Sequence, residues 1–337
     1  MSDMDETRLG EWLAANVAGF AGPFSVEKFP GGQSNPTYRI DAASGRYVLR
    51  RKPFGPILPS AHAVDREHRL IAALHPTGFP VARPYGLCED DGVIGSAFYI
   101  MEMVEGRTLW DGALPGMTPP ERTAHYNAIT DTLAALHAVD YEGVGLGDYG
   151  KPGNYFERQV GRWSKQYRAS QTEDMPAMER LIEWLPLTVP EQTRTSIVHG
   201  DFRIDNMIFD AAQPKVLAVL DWELSTLGDP LADFSYYLMS WVTQPEGRSG
   251  VKGLTGDSGI PPLEDVVARY CAATERDGVP RLDWYFAYNL FRLAGIVQGI
   301  KKRIIDGNAS STQAAATAER MPGLVAAAWS FAEKAGA

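Results

Sequence analysis

The sequence predicts an α+β protein in which a small β-rich part is followed by a larger, mainly helical part. Up to Val104, apolar and polar residues alternate in short runs broken by glycine and proline, as in strands. After Gly106, apolar residues recur at helical spacing over long segments. The 337 residues, 45% of them hydrophobic and 22% charged, suffice to bury a sizeable core. We therefore expect two lobes, residues 1–104 and residues 105–337.

Five strands and one helix are expected in the first lobe. The strands are predicted at 24–29, 37–41, 46–51, 83–88 and 96–104. The second and third strands are close enough in sequence to form a hairpin across an Ala-Ala-Ser-Gly turn. Residues 61–75 have helical periodicity that ends at Pro76. The hinge to the second lobe is expected at 102–108.

The second lobe is expected to be helical around one short β-type segment. Helices are predicted at 119–138, 155–169, 175–185, 264–276, 284–305 and 314–333. The β-type segment is 196–220, and the glycine- and proline-rich stretch 244–262 is predicted to be a long loop.

Charge and composition exclude several classes of function. The net charge of -10 disfavours nucleic acid or an anionic membrane surface as a partner, because both attract basic proteins. The two cysteines, Cys88 and Cys271, lie far apart and outside any CxxC motif, so neither a disulfide framework nor a cysteine-based zinc site is indicated. The start of the chain is acidic and no apolar run spans a bilayer. We expect a cytoplasmic protein, and the sequence leaves its oligomeric state open.

The β-type segment carries the strongest chemical signal. Asn206 follows Asp201 by five residues, and Asp221 follows Asp201 by twenty at the end of an apolar strand. This pattern suits phosphoryl transfer to a hydroxyl, in which one carboxylate accepts the hydroxyl proton while carboxylate and amide oxygens hold Mg²⁺. Each motif alone also occurs by chance in other folds, but two in register favour the functional interpretation.

The segments HGDFRIDN (199–206) and DWE (221–223) resemble the catalytic loop and metal-binding motif of the aminoglycoside phosphotransferase and choline kinase family. That family is related to protein kinases, and the resemblance extends over residues 24–332. It implies a protein-kinase-like two-lobed fold and an enzyme that uses ATP and Mg²⁺ to phosphorylate a small-molecule hydroxyl.

The resemblance also implies roles for individual residues. Asp201 would be the catalytic base, and Asn206 and Asp221 would be the magnesium ligands. Arg203 stands where protein kinases have a catalytic-loop lysine close to the transferred phosphate. His199 is implied to hold the loop through hydrogen bonds.

The first lobe should supply the nucleotide pocket. By resemblance, the turn that contains Gly31, Gly32, Ser34 and Asn35 is the loop over the phosphates, although the same residues are typical of a plain hairpin turn. Backbone groups of the predicted hinge strand, at Glu102, Met103 and Val104, would bind the adenine edge.

Arg50 ends the third strand, where protein kinases have a lysine, and Glu67 on the single helix is its expected partner. The alternative is that Glu67 is a solvated surface charge, because Asp65 lies close by.

Three cations on one predicted helical face, Arg158, Arg162 and Lys165, are candidates for binding the acceptor. A stripe of this kind is as often a solvated surface. Polycationic aminoglycosides would be better served by carboxylates, so the cations favour an anionic or carboxylate-bearing acceptor.

Four segments are most similar in sequence to one branch of the family: GGQSNPTY, VLRRKP, HGDFRIDNMIF and DWELSTLGDPLADFSYYL. This branch includes kinase domains fused to acyl-CoA dehydrogenases and bacterial stand-alone relatives implicated in phosphorylating 4-hydroxy acids or 4-hydroxyacyl-CoA. The alternatives are an aminoglycoside, a choline-like amine or a sugar as acceptor. A nucleotide-binding pseudokinase that acts as an interaction module is an alternative of another class.

Overall fold

The computed structural model describes residues 4–30, 35–54, 62–245, 249–307 and 314–337. The chain forms two compact units, each built from separate stretches of sequence. Unit 1 comprises Met1–Trp110, Ala124–Asp148 and Arg203–Ser225, and unit 2 comprises Asp111–Thr123, Tyr149–Phe202 and Thr226–Ala337. The predicted α+β class is confirmed, because unit 1 contains a five-stranded antiparallel sheet and the rest of the described chain is mostly helical. The lobe boundary after Val104 stays a prediction.

The sheet of unit 1 contains the five expected strands in the order β1-β2-β3-β5-β4. They are β1 (Phe24–Lys28), β2 (Thr37–Ala42), β3 (Gly45–Arg51), β4 (Pro84–Cys88) and β5 (Phe98–Glu102). The predicted hairpin joins β2 to β3, and Ala42 pairs with Gly45 at its end. Gly45 has a φ of 140°, which residues with a side chain rarely adopt, so this turn requires glycine.

The two faces of the sheet have different surroundings. Side chains of a strand point alternately to opposite faces. On β3, Tyr47 and Leu49 belong to a buried apolar cluster with Leu13, whereas Val48 and Arg50 line a cavity. One face of the sheet is therefore covered by apolar core, and the other carries the groups that face the cavity.

Helices α1 (Glu6–Asn16), α2 (Val64–Leu74) and α3 (Asp91–Ile94) accompany the sheet. The predicted helix is α2, and α1 and α3 are additional to it. The Asp5 carboxylate caps α1 by accepting hydrogen bonds from the backbone N–H groups of Thr7 and Arg8, at 3.1 Å each. Because α1 supplies part of the apolar cluster, it completes the core on that face of the sheet.

The predicted β-type segment is distributed over both units. In unit 2, β6 (Ser196–Val198) pairs with β9 (Thr226–Gly228) in an antiparallel ladder. In unit 1, β7 (Met207–Phe209) pairs with β8 (Val216–Val219), also antiparallel. The predicted catalytic and metal-binding motifs thus lie at the ends of short strands.

The remaining helices follow the predicted order along the chain, with α7 in addition to those predicted. They are α4 (Pro119–Ala138), α5 (Tyr155–Ser170), α6 (Pro176–Leu187), α7 (Leu231–Val242), α8 (Leu263–Ala273), α9 (Leu282–Ile305), α10 (Ala314–Glu319) and α11 (Met321–Lys334). Within unit 2, α9 packs against α5, α6, α7, α10 and α11, which makes it the central helix of that unit. A single closing helix was predicted at 314–333. This prediction is wrong, because the segment forms two helices separated at Arg320.

The predicted long loop at 244–262 is hydrogen-bonded to its surroundings in the part that the structure describes. The Arg122 guanidinium donates to the Ser258 carbonyl at 2.9 Å, and the Trp241 indole donates to the Pro261 carbonyl at 2.8 Å. Val251 and Ile260 are buried. Among the described residues, no helix combines the length and the apolar character needed to cross a membrane.

Candidate active site

A cavity of about 450 Å³ lies within unit 1. It is bounded by the face of the sheet that carries Arg50, by the segment after β5 and by the β7–β8 hairpin. Its volume is in the range typical of small-molecule sites. The predicted hinge residues Glu102, Met103 and Val104 all line it, together with the exposed Trp110.

One guanidinium at the cavity is surrounded by three carboxylates. Arg50 contacts Glu67 at 2.8 Å, Asp221 at 2.7 Å and Glu223 at 3.7 Å. Burial opposes the charge of Arg50, but attraction to these carboxylates outweighs it and raises the pKa of the guanidinium above its usual value. The structure therefore places the two predicted partners, Arg50 and Glu67, side by side. Their role towards a nucleotide stays a prediction.

The buried Glu67 is fixed by two further side chains. Asn35 donates its amide N–H to Glu67 at 2.7 Å, and the Tyr99 hydroxyl donates to Glu67 at 3.1 Å. Asn35 is itself buried, and its amide oxygen lies 3.1 Å from a ring nitrogen of His62. The structure thus shows Asn35 holding Glu67, while its predicted contact with a phosphate stays a prediction. Gly31, Gly32 and Ser34 lie outside the described residues.

The two predicted magnesium ligands line the same cavity. The backbone N–H of Leu220 donates to the carbonyl of Asn206 at 2.8 Å, which joins the segment before Asp221 to that residue. Asp221 has a φ of 64°, the left-handed region that aspartate tolerates better than most residues. Carboxylate and amide oxygens are the protein ligands that Mg²⁺ takes alongside water and phosphate oxygens, so the donor set fits this ion. Within the described ranges, no group of three or more His, Cys, Asp or Glu side chains is arranged to hold a metal.

In unit 2, the loop after β6 is held from α7. The carboxylate of Asp233 accepts hydrogen bonds from the backbone N–H groups of His199 and Gly200, the latter at 2.8 Å. His199 is fully buried, and its Nδ1 accepts a hydrogen bond from the backbone N–H of Asp201 at 3.1 Å. These bonds define the backbone that carries Asp201.

The carboxylate of Asp201 has a hydrogen-bond donor from a neighbouring helix. The hydroxyl of Tyr236, on α7, donates to Oδ1 of Asp201 at 2.9 Å. Arg292, on α9, donates to the carbonyl of Gly200 at 2.8 Å, and its Cζ lies 5.0 Å from the centre of the Tyr236 ring. The predicted base therefore sits beside an aromatic and a cationic side chain.

Comparisons with known proteins decide the family. The phosphotransferase enzyme family model matches residues 25–285. The chain belongs to this family. Its fold is protein-kinase-like, and the predicted enzyme class, a small-molecule O-phosphotransferase of the kinase type, is confirmed.

Two relatives are similar over most of the chain. Mouse acyl-CoA dehydrogenase family member 10 is 45% identical over 322 residues, which is 94% of this chain but only 30% of the relative. The chain therefore spans about a third of the length of that relative. The crystal structure of a provisionally named aminoglycoside phosphotransferase from Ralstonia eutropha JMP134 is 49% identical, covers 98% of this chain and 99% of that one, and has a TM-score of 0.91.

A more distant solved structure shares the fold alone. It is a thermostable mutant of the aminoglycoside phosphotransferase APH(4)-Ia in a ternary complex with ADP and hygromycin B. It is 16% identical, covers 95% of this chain and 98% of that one, and has a TM-score of 0.57.

The remaining predicted site residues have definite positions in this phosphotransferase. In unit 1, Arg203 forms an ion pair with the buried Asp205 at 3.1 Å. On α5 in unit 2, Arg158 donates to the backbone carbonyls of Gly153 and Lys151. Arg162 and Lys165 are exposed. The catalytic role of Arg203 and the acceptor-binding role of the three α5 cations stay predictions.

Sequence reasoning missed two residues beside the predicted base, Tyr236 and Arg292. Arg292 had a detectable signal, because it is the single charged residue in the mainly apolar stretch 288–300. Tyr236 had none, since tyrosines are common in buried helices and its pairing with Asp201 depends on how α7 packs.

Proposed function

We propose that this phosphotransferase transfers the γ-phosphoryl group of ATP, in the presence of Mg²⁺, to a hydroxyl of a small molecule that carries a carboxyl or thioester group. A hydroxy acid and a 4-hydroxyacyl-CoA are the acceptors we favour. The observation that carries the proposal is the arrangement of Arg50, Asn206 and Asp221 around one cavity that the segment after β5 also lines.

The cavity of unit 1 fits a nucleoside triphosphate by its chemistry. Val48, Ile71 and Val219 supply apolar walls for a flat base, and the backbone of residues 102–104 supplies hydrogen-bonding groups at their edge. Arg50 supplies a charge that can bind phosphate oxygens in two-pronged fashion. ADP in the complex of the distant APH(4)-Ia relative supports this donor.

Asn206 and Asp221 would hold Mg²⁺ through an amide and a carboxylate oxygen. Bound there with the phosphates, the ion would neutralise charge on the transferred group. Asp221 also contacts Arg50 at 2.7 Å, so the arginine orients this carboxylate.

Asp201 would act as the base. The acceptor oxygen forms a bond to the γ-phosphorus, the bond from that phosphorus to the bridging oxygen breaks, and ADP leaves. The hydroxyl proton passes to a carboxylate oxygen of Asp201. Tyr236 orients this carboxylate through its hydrogen bond, and Arg203 would stabilise charge on the transferred group.

The acceptor class is supported by charge and by relatives. The mouse relative is named as an acyl-CoA dehydrogenase family member, and this chain spans 30% of its length. That name favours an acyl compound as the acceptor. Cations on α5, among them the exposed Arg162 and Lys165, favour an anionic molecule over a polycationic aminoglycoside. The cytoplasmic location also belongs to this proposal.

The test is a phosphorylation panel with the wild-type protein and the Asp201→Asn variant. The acceptors are a 4-hydroxy acid, its CoA thioester and a kanamycin-like amine, and the measurements are ADP release and the mass of the product. We expect Asp201→Asn to lower kcat by about 100- to 10,000-fold, because the proton acceptor is lost. Binding of ATP measured by calorimetry should change little.

The exposed Asp257→Asn is the matched control and should retain activity. Full activity in Asp201→Asn would show that Asp201 is not the base. A magnesium-dependent thermal shift with ATP, without phosphorylation of any acceptor, would instead favour the pseudokinase.

A further inference from the structure

A guanidinium is flanked by two aromatic rings next to the predicted base. Arg292 lies on the central helix α9, with its Cζ 5.7 Å from the centre of the Trp163 ring and 5.0 Å from that of Tyr236. Trp163 is on α5 and Tyr236 on α7, so three helices of unit 2 position this one charge. Cation–π contacts at these distances favour a fixed orientation of the guanidinium.

The charge has unused capacity to bind a ligand. A guanidinium presents five N–H donors and is always charged. The hydrogen bond to the Gly200 carbonyl uses one donor. Among the residues that the structure describes, Arg292 has no carboxylate within 4.0 Å, in contrast to Arg50, although the carboxylate of Asp201 is near enough to attract its charge. Arg292 is also half-buried rather than enclosed, so part of it is reachable from solvent.

The position of Arg292 relates it directly to the acceptor. The carbonyl it contacts belongs to the peptide group that joins Gly200 to Asp201. Tyr236 connects the two side chains, because its hydroxyl bonds to Asp201 and its ring flanks Arg292. Arg292 and Asp201 are therefore neighbours, so a molecule whose hydroxyl lay at Asp201 would have its adjacent groups near Arg292.

We propose that Arg292 binds a carboxyl-group oxygen of the acceptor and thereby selects hydroxy compounds that carry a carboxylate or thioester a few carbon atoms from the hydroxyl. This inference rests on the proposed phosphotransferase function and assigns the residue that reads the acceptor. The free carboxylate of a hydroxy acid and the carbonyl of its CoA thioester offer the same oxygen chemistry. An ammonium group placed there would be repelled by the guanidinium.

The aromatic surroundings favour the same class of acceptor. Tyr155 and Tyr288 are buried in unit 2 and, with Trp163, are coupled electrostatically to Arg292 or in ring contact with it. Such walls suit a short aliphatic chain between the hydroxyl and the carboxyl group. The cluster thus combines buried aromatic side chains, one cation and the predicted carboxylate base.

The test compares acceptors that differ only in the group Arg292 would bind. The acceptors are a 4-hydroxy acid, its CoA thioester and the corresponding diol, and the variants are Arg292→Met and Arg292→Lys. Arg303→Met is the control, because Arg303 is an exposed arginine on the same helix. The measurements are kcat and KM for each acceptor, the ATP dissociation constant and the melting temperature.

We expect Arg292→Met to lower kcat/KM by about 10- to 100-fold for the acid, mainly through KM, because a hydrogen bond to a charged group is lost. The thioester should lose less, and the diol should change by less than about threefold. Arg292→Lys keeps the charge without the fork, so its loss should be smaller and confined to the acid and the thioester. Arg303→Met and all ATP dissociation constants should remain at the wild-type value.

Equal losses for the acid, the thioester and the diol would overturn the inference, because they would show that Arg292 only supports the loop. Tyr236→Phe is the reference variant for an effect on positioning alone. It removes a hydrogen bond to Asp201, so it should lower kcat for every acceptor and leave KM unchanged. If Arg292→Met does not fold, Arg292→Lys provides the test. A loss confined to the acid and the thioester would support the inference, and an equal loss for the diol would overturn it. Wild-type activity on the kanamycin-like amine alone would also overturn the inference, whereas no phosphorylation of any acceptor would overturn the proposed function itself.

Discussion

Asp233 shows at the scale of one residue how a buried carboxylate fixes a catalytic loop. It accepts hydrogen bonds from two consecutive backbone N–H groups, at His199 and Gly200, and its own side chain is 1% exposed. Both donors would be left in the protein interior if the carboxylate were removed. The chain geometry before Asp201 therefore depends on a residue that does not act on substrate.

We expect Asp233→Ala to lower the free energy of unfolding by about 2–5 kcal/mol, because two buried N–H donors lose their acceptor. The activity of the folded fraction should also fall, since the loop that carries Asp201 is no longer held. Urea unfolding and kcat measure the two effects. Asp265→Ala, an exposed first-turn residue of α8, is the control and should change stability little. Unchanged stability in Asp233→Ala would contradict this account of the loop.

Single residues were predictable where a motif fixes both partners in sequence. The Arg50–Glu67 ion pair was predicted from the resemblance to protein kinases, and the structure shows it, whereas the roles of Asp201, Asn206 and Asp221, predicted from spacing and resemblance, stay predictions. Arg292 could not be placed beside Asp201 in this way, because their proximity depends on three helices packing in unit 2.

At the scale of elements, the segment after β5 passes close to β7. Arg107 and Phe209 exchange backbone hydrogen bonds of 2.9 Å each. A Cβ atom at Gly106 would lie 2.3 Å from the carbonyl oxygen of Phe209, and this oxygen is backbone that cannot rotate away. Only glycine therefore allows the segment to follow its course beside β7.

We expect Gly106→Ala to force these two backbones apart and to lower the melting temperature. ATP affinity should fall as well, because residues 102–104 and Asn206 line the same cavity as Gly106. Thermal unfolding with and without ATP measures both effects. The control is Gly323→Ala in α11, where a Cβ atom meets nothing within 4 Å and helix propensity favours alanine. If Gly106→Ala bound ATP and melted like the wild type, the close approach of Gly106 to Phe209 would not be required for stability or for ATP binding.

Elements with sharp boundaries were the most predictable. The bounds of α4 agree with prediction because a Thr-Pro-Pro-Glu sequence opens it. The tail was predicted as one helix because alanine favours helix everywhere and provides no stop. Pro322 was the missed signal, since proline is tolerated in the first turn of a helix but not in its interior, and it lies in the first turn of α11.

For the whole molecule, the order of strand-like and helix-like residue patterns predicted the class but not the compact units. Residues 203–225 follow the β6 strand of unit 2 in sequence, yet they pack with the sheet of unit 1. Contacts of this kind link positions far apart in the chain, for example Arg50 and Asp221, and no local pattern encodes them. The net charge of -10 also gave no sign of the cation that Arg292 places beside Trp163.

Stability of the whole chain should depend on pH through Asp229. This carboxylate is 3% exposed, and burial raises its pKa from 3.8 to about 6, against the opposing effects of the Leu231 N–H and Arg276. Because the folded-state pKa is the higher one, folding binds a proton between about pH 4 and pH 6. The contribution of Asp229 to stability is therefore most favourable below pH 4 and falls as the pH rises to about 6.

We expect Asp229→Asn to abolish this dependence, because the amide oxygen can still accept from Leu231 but cannot ionise. The variant should match the wild type near pH 4 and exceed it by roughly 1–3 kcal/mol at pH 7.5 in urea unfolding. Asp210→Asn is the control of opposite sign, because backbone N–H groups of Ala212 and Gln213 lower the pKa of the half-buried Asp210. That variant should be less stable than the wild type at neutral pH, and the difference should vanish in acid, where the wild-type carboxylate is protonated. If the stability difference between Asp229→Asn and the wild type did not vary with pH, ionisation of Asp229 would not destabilise the folded protein. The attraction of Arg276 for the carboxylate would then offset the effect of burial.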